Sequence, residues 1–430
     1  MKNRSGIINI ILYLVIIALF VTSFWYSMNY RTVETSIVTA DTDEISFSWW
    51  GNDERHTYTL EGVDLFEREN PGISVDCKYS VWSGYENRNR IYMLSGDEPD
   101  VMQINYNWIR QYSPDGKGYY DLHQLSDYID LSSYTDEELS FGTVDGKLNA
   151  LPIAYNAVAF FYNKNLLDQY GLSVPETWDD LFRAGEVLKP HGISVLYLNE
   201  KHLFLALSAH YEQETGKELF QEDGSYSGGT EAIREMLSFY DKLMDQGVVM
   251  PPDAANANAF ANGKTAGDAM WATDAARTCD ALQEAGTELD QGDPPVLAEG
   301  STGGWYVKPA TMYAIASNTA HPEAAAKLFN YLVNDPDMAK LQGTEKGIPV
   351  SSKARKVLQD NDMIKGLDGE AGSYVLDHLD SMKLMNPSLE DSDLISAFID
   401  EAEKYYYGKA DLDTCAKETA DAWAGILSRQ

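Results

Sequence analysis

Ile45-Ser46-Phe47-Ser48-Trp49-Trp50 alternates apolar and serine side chains up to Gly51-Asn52-Asp53, and Ile73, Val75, Cys77 and Tyr79 alternate again after Asn70-Pro71-Gly72. Period-two alternation is the signature of a strand. Between the two runs Leu60, Val63 and Phe66 recur at helical spacing, and Gly51-Asn52-Asp53 turns the chain and offers a helix cap. Strand, helix and strand within about 35 residues form a βαβ unit, whose strands must be parallel and whose sheet must be covered by helices. The fold class read from this stretch is α/β.

The pattern continues outward. Pro99-Asp100-Val101-Met102-Gln103-Ile104 reads as a third strand, and Asp145-Gly146 as a turn between short extended runs. Leu151 to Tyr162 is apolar and aromatic enough for a long strand crossing between lobes. Helices are expected over Thr177–Leu188, Thr230–Met244 and Pro322–Leu332, the last with proline at its first position, and again after Pro336. Asp411 or Asp413 caps a final helix ending at Leu427. No internal repeat and no low-complexity tract interrupts the chain.

With 430 residues and 44% hydrophobic content, two lobes are the default expectation. The formal net charge is -34, from 67 acidic and 33 basic residues. Such a surface repels nucleic acid and anionic membrane, and no Lys/Arg run tracks a phosphate backbone. Cys77, Cys279 and Cys415 lie far apart without CxxC spacing and read as isolated thiols. Near the N-terminus, Lys2 and Arg4 precede a charge-free stretch from Ser5 to Tyr30, densest over Ile7–Trp25. About 20 apolar residues span a bilayer, whereas a cleavable leader has a shorter apolar region followed by small residues. Here Phe24, Trp25 and Tyr26 follow, as in an interfacial aromatic belt. Residues 1–30 are therefore expected to be a retained transmembrane helix with its tip in the cytoplasm, and 31–43 a linker. Cleavage after Ala40, giving a secreted protein, is the alternative. No cysteine follows the span closely, which excludes lipid attachment there.

Chemistry-bearing motifs are sparse. GxSxG, HExxH and the P-loop pattern are missing, and the Gly-rich pieces lack GxGxxG spacing. The seven histidines form no ligand pair at helical spacing. No catalytic residue, metal site or cofactor is assigned. What stands out is aromatic supply: 27 Tyr and 9 Trp, with Trp50, Trp82, Tyr85, Trp108, Trp271, Trp305 and Tyr306 expected on loops leaving strand ends. Ligands of open α/β sheets bind at the carboxyl ends of strands. Flat aromatic faces pack against the C–H faces of pyranose rings, each worth about 1–2 kcal/mol. Trp49 alternates with Phe47 and reads as core; Trp50 points the other way and reads as a ligand residue.

In order along the chain, Ser48-Trp49-Trp50-Gly51, Glu54-Arg55-His56, Trp82-Ser83-Gly84-Tyr85, Pro99-Asp100-Val101-Met102-Gln103-Ile104-Asn105, Pro175-Glu176-Thr177-Trp178, Lys308-Pro309-Ala310 and Lys346-Gly347-Ile348-Pro349-Val350 resemble the sugar-binding components of ABC importers, extracellular solute-binding protein family 1. The likeness covers nearly all of the chain after Glu44 and is nearest to oligogalacturonide-binding proteins. Asn52, where the family often has glycine, and the run Glu86–Met93 depart from it. The resemblance implies a type II periplasmic-binding-protein-like fold of two α/β lobes, 44–154 with 312–349 and 155–311 with 350–430. The chain would cross a hinge near 154–157, 309–312 and 349–351. It implies a monomer that binds an oligosaccharide and delivers it to ABC permease subunits, and that is not an enzyme. Asn105, Asn107 and Tyr155 would join the aromatic residues around the ligand, and Arg55 or Lys308 would meet a uronate. A surface carbohydrate hydrolase or lyase, and a sensory sugar-binding protein, are the competing readings.

Overall fold

The computed structural model describes residues 42–429 apart from 222 and 302. The apolar segment Ile7–Trp25 lies outside the described residues. Among those described, no helix is long and apolar enough to cross a membrane.

The opening βαβ unit forms as the alternation dictates. β1 (Asp43–Trp50) pairs in parallel with β2 (Ile73–Ser80) through the helix Asp53–Glu69, whose N-cap Asn52 accepts from the Arg55 N–H. β3 (Val101–Ile104) adds on the other side of β1, also parallel. The Asp145-Gly146 turn joins a two-stranded ribbon of β4 (Thr143–Val144) and β5 (Lys147–Leu148), with both turn residues at positive φ. β6 (Ala150–Asn163) follows. It is 14 residues long, and all but Asn163 are buried.

The remaining strands are β7 (Ser194–Tyr197), β8 (Thr265–Trp271), β9 (Leu289–Gly292), β10 (Tyr306–Ile315) and β11 (Lys383–Leu384). The sheet runs β2-β1-β3-β10-β6-β8-β7, with β9 beside β6 and β11 beside β10. β10 is antiparallel to both β3 and β6 and fills the gap between them. Successive side chains of β6 point to opposite faces. Ala157, Ala159 and Phe161 enter one apolar core, while Val158, Phe160 and Tyr162 enter the other. The first core holds β1 to β3 and the helix Pro322–Asn334 and extends to the helix Gly366–Asp377; the second holds the helices Trp178–Leu188, Glu200–Thr215, Gly229–Asp245, Ser392–Tyr406 and Leu412–Leu427.

Three chain segments meet where β6 passes from one core to the other. The β6–β10 register shifts between Pro309 and Met312. There the Tyr155 N–H donates to Ile348 O at 3.3 Å and the Val350 N–H to Ile153 O at 3.1 Å. Pro309 faces Tyr155, whose N–H goes to the opposite edge, so the missing proline N–H costs no ladder bond.

Helix ends follow their sequence signals closely. Thr177 caps Trp178–Leu188 in a capping box with Asp180, and Asp411 caps the final helix. Within the first of these, Gly185 is needed for closeness rather than flexibility. A methyl group there would sit 2.2 Å from Gln246 O, at the end of Gly229–Asp245. Gly→Ala in a helix ordinarily gains up to about 1 kcal/mol. For Gly185→Ala the clash is expected to reverse the sign and cost on the order of 2 kcal/mol. A chemical denaturation midpoint that does not fall would refute this packing.

Candidate functional site

The carboxyl ends of β1 and β3 build one aromatic wall. Trp50 ends β1, Trp82 opens the helix Trp82–Ser95, and Trp108 opens the short helix Trp108–Tyr112 after β3. The Trp50 ring lies 5.0 Å from Trp82, 5.1 Å from Tyr85 and 6.0 Å from Trp108. Trp82 and Trp108 stack at 5.7 Å. Trp108 and Tyr85 are buried at the back, Trp50 is half-buried, and Trp82 is 38% exposed. Tyr85 fixes this wall: its hydroxyl donates to Gln103 O at 2.6 Å and lies 3.0 Å from Ser48 Oγ, tying the helix to β1 and β3. Asn105 donates to Asn107 Oδ1 at 2.8 Å, both half-buried beside the cluster.

A second wall forms at the carboxyl end of β8. Half-buried Trp271 receives His202 edge-on at 5.1 Å, and Lys308 Nζ lies 4.7 Å from its ring centre. Lys308, in mid-β10, reaches Glu390 at 2.9 Å, and Lys201 reaches the other oxygen of Glu390 at 3.4 Å. Burial pushes the Lys308 ammonium below its ordinary range, opposed by Glu390. Burial pushes Glu390 up, but the charges of Lys308 and Lys201 outweigh it and hold the carboxyl below its ordinary value. Burial takes His202 down to about 3, so this imidazole is neutral. The two walls are turned toward each other by topology, because β3 and β8 run in opposite directions along β6 and both end near its middle, with Tyr106 next to Trp108 on the first wall. That phenol is raised chiefly by burial, with Arg110 opposing and Glu390 adding. A methyl at Gly224 would sit 3.7 Å from Arg110 Cδ and 3.2 Å from Ser388 Oγ.

The other expected site residues stand apart. Arg55 gives Nη2 to Glu345 O at 2.6 Å, with Nε 3.8 Å from that carboxylate, rather than pairing with Asp53 or Glu54. Tyr155 is buried, and its hydroxyl donates to Glu138 at 2.5 Å. The expectation that Trp305 and Tyr306 leave a strand's carboxyl end is corrected: Tyr306 is the first residue of β10. Both pack into the second core, with Trp305 Nε1 donating to Pro295 O at 2.8 Å and the Tyr306 hydroxyl to Glu212 at 2.5 Å. Trp305 also borders a separate recess of about 250 Å³, with Asp293, Tyr374 and His378. Lys308 is a buried strand residue.

Sequence reasoning missed Glu390, Lys201 and His202, which lie far along the chain from Lys308 and carry no local motif. It quoted Lys346 without assigning it a role. That side chain is buried two residues before Ile348, 3.1 Å from Gln103 Oε1 and 2.9 Å from the Tyr313 hydroxyl, and burial drives its pKa well down. Among the described residues, no group of three or more His, Cys, Asp or Glu is placed to hold a metal.

Two α/β halves sharing one sheet, with aromatic walls turned toward each other at the strand ends, have the form of a ligand-binding protein. The chain belongs to the bacterial extracellular solute-binding protein family, whose profile matches residues 52–339. That family consists of binding proteins rather than enzymes. A multiple sugar-binding protein of Streptococcus mutans is 26% identical over 72% of this chain and 76% of its own length. A periplasmic solute-binding protein of Pectobacterium atrosepticum superposes with a TM-score of 0.82 at 29% identity, covering 90% of this chain and 99% of the other. A periplasmic oligogalacturonide-binding protein of Yersinia enterocolitica, in complex with saturated digalacturonic acid, superposes at 0.81 with the same identity and coverage.

Asp268, three residues before Trp271 on β8, has a measurable signature. It is 4% exposed, and burial raises its carboxyl to about 7. A carboxyl raised on folding stabilises the fold fully below its unfolded value near 3.8, and that contribution is lost as pH rises through 7. Asp268→Asn is therefore expected to raise the melting temperature at pH 8, by on the order of 2 kcal/mol of stability. The gain should shrink at pH 5. Calorimetry at both pH values checks this, and an equal effect at the two would rule it out.

Proposed function

We propose that this protein captures oligosaccharides outside the cytoplasm and hands them intact to the permease subunits of an ABC importer. Chains of uronic acid are the ligand class. The observation that carries this is the pair of opposed aromatic walls at strand ends, Trp50 and Trp82 on one side and Trp271 on the other. Sugar rings present apolar C–H faces to such surfaces and hydroxyls to flanking amides, here Asn105 and Asn107. The digalacturonic acid in the Yersinia relative supports the acidic class. Trp305, Tyr306 and Tyr155 pack within the two cores in this reading.

The three segments meeting at Tyr155, Pro309–Met312 and Ile348–Val350 are the hinge in this reading, with lobes 44–154 plus 312–349 and 155–311 plus 350–430. Closure on ligand follows only if ligand binds the closed form better than the open one. The described chain should therefore become more compact in solution scattering when digalacturonate is added, and should release the sugar uncleaved. Trp50→Ala and Trp271→Ala should each weaken binding by about tenfold, the equivalent of roughly 1–2 kcal/mol. An unchanged radius of gyration with sugar bound, or unchanged affinity in both variants, would count against the two-walled cleft.

Residues 1–30 act as a retained membrane anchor in this proposal, keeping a monomer beside its permease. The mature protein should fractionate with membranes and keep its own N-terminus. Recovery from the medium with Asp41 as first residue would replace the anchor with a cleaved leader.

A further inference from the structure

The acidic-ligand reading needs a cation, and the two expected from sequence are committed elsewhere. Arg55 is drawn to Glu345. Lys308 has a 4%-exposed side chain locked on a 2%-exposed Glu390. Removing either member of the buried Lys308–Glu390 pair leaves a buried charge unpaired, so Lys308 is not free to turn to a ligand.

Glu390, however, carries two lysines. One oxygen takes Lys308 at 2.9 Å; the other is approached by Lys201 at 3.4 Å, longer than an ordinary charge-assisted hydrogen bond. The three side chains sum to one surplus positive charge in a protein of net charge -34. Lys201 keeps 33% of its side chain exposed, so the surplus sits on the member that can move. The neighbouring acids do not cancel it locally: Glu200 points into solvent, and Asp274 is paired with Arg277 at 3.1 Å. Adjacent His202 packs on Trp271. Lys201 joins the tryptophan proposed to stack on the sugar through Glu390, which it shares with Lys308, whose ammonium lies 4.7 Å from the Trp271 ring centre.

We infer that Lys201 is the specificity-determining cation of the second wall, donating to a ligand carboxylate while Trp271 takes the ring that bears it. The buried Lys308–Glu390 pair positions it, because Glu390 holds the resting ammonium near Trp271 and gives it up without being left unpaired. The inference rests on the proposed oligosaccharide-capture reading and extends it to a single charged group.

Titration calorimetry of the described chain with digalacturonate, and with a galactose disaccharide lacking the carboxylates, tests it on wild type, Lys201→Met and Lys201→Arg. Wild type is expected to prefer digalacturonate. Lys201→Met should lose about tenfold or more of that affinity, leave the neutral disaccharide unchanged, and flatten the salt dependence of acidic-sugar binding. Lys201→Arg should recover most of the loss, which a fold defect would not. A wild type that binds digalacturonate and a Lys201→Met variant that binds it equally, with the same salt dependence, would overturn the role of Lys201 alone. A wild type that binds the neutral disaccharide and ignores digalacturonate would overturn the acidic ligand class and this inference with it.

Discussion

Fourteen strand residues in one unbroken run, Ala150–Asn163, hold the molecule together. A strand buried on both faces must send alternate side chains into two apolar environments. β6 does so, feeding Ala159 and Phe161 to one core and Phe160 and Tyr162 to the other. Its backbone groups must also find partners on both edges along its whole length. β10, β8, β9 and the Ile348–Val350 segment supply them in turn. The change of partners near Tyr155 is the least regular part of the ladder, and the candidate hinge falls there. Rigid walls on either side and a broken register between them follow from one strand having too many neighbours for a single uniform ladder.

The site is built by the same logic. Strand ends deliver Trp50 and Trp271 to opposite walls. Groups behind them, Tyr85 against Gln103 and Ser48 on one side and Lys308 on Glu390 on the other, set their orientation. Buried ionic groups of this kind contribute little net stability compared with apolar packing. Their value is geometric, since an aromatic face presented to a flat ring must be held at a fixed angle to be of use.

Much of this was legible in the chain. Alternation around Phe47 and Val75 specified the parallel unit, and Thr177 and Asp411 announced their helices because capping is a local interaction. Trp49 and Trp50 were separable because neighbouring strand residues face opposite ways. The site was legible only where it depended on local strand exits. Trp305 and Tyr306 look like loop aromatics in sequence, yet they begin a strand and pack inward, and nothing within a few residues marks the direction of entry. Glu390 lies 82 residues from Lys308. A lysine's burial depends on whether a distant carboxylate folds back onto it, and neither residue's own surroundings encode that.

β10 has a further consequence, for the order in which the protein comes into being. It stands between β3 and β6, so the first lobe's sheet has a vacancy at its centre until residue 315 has been synthesised. The helix Pro322–Asn334, which covers that sheet, comes later still. For about three-quarters of its synthesis the chain holds a β2-β1-β3 sheet whose inner edge, β3, has no partner, and contacts of such long sequence separation form slowly. A nascent chain that cannot finish either half early stays short of its native fold while it is being made, and a chain not yet folded is one that can be threaded across a membrane.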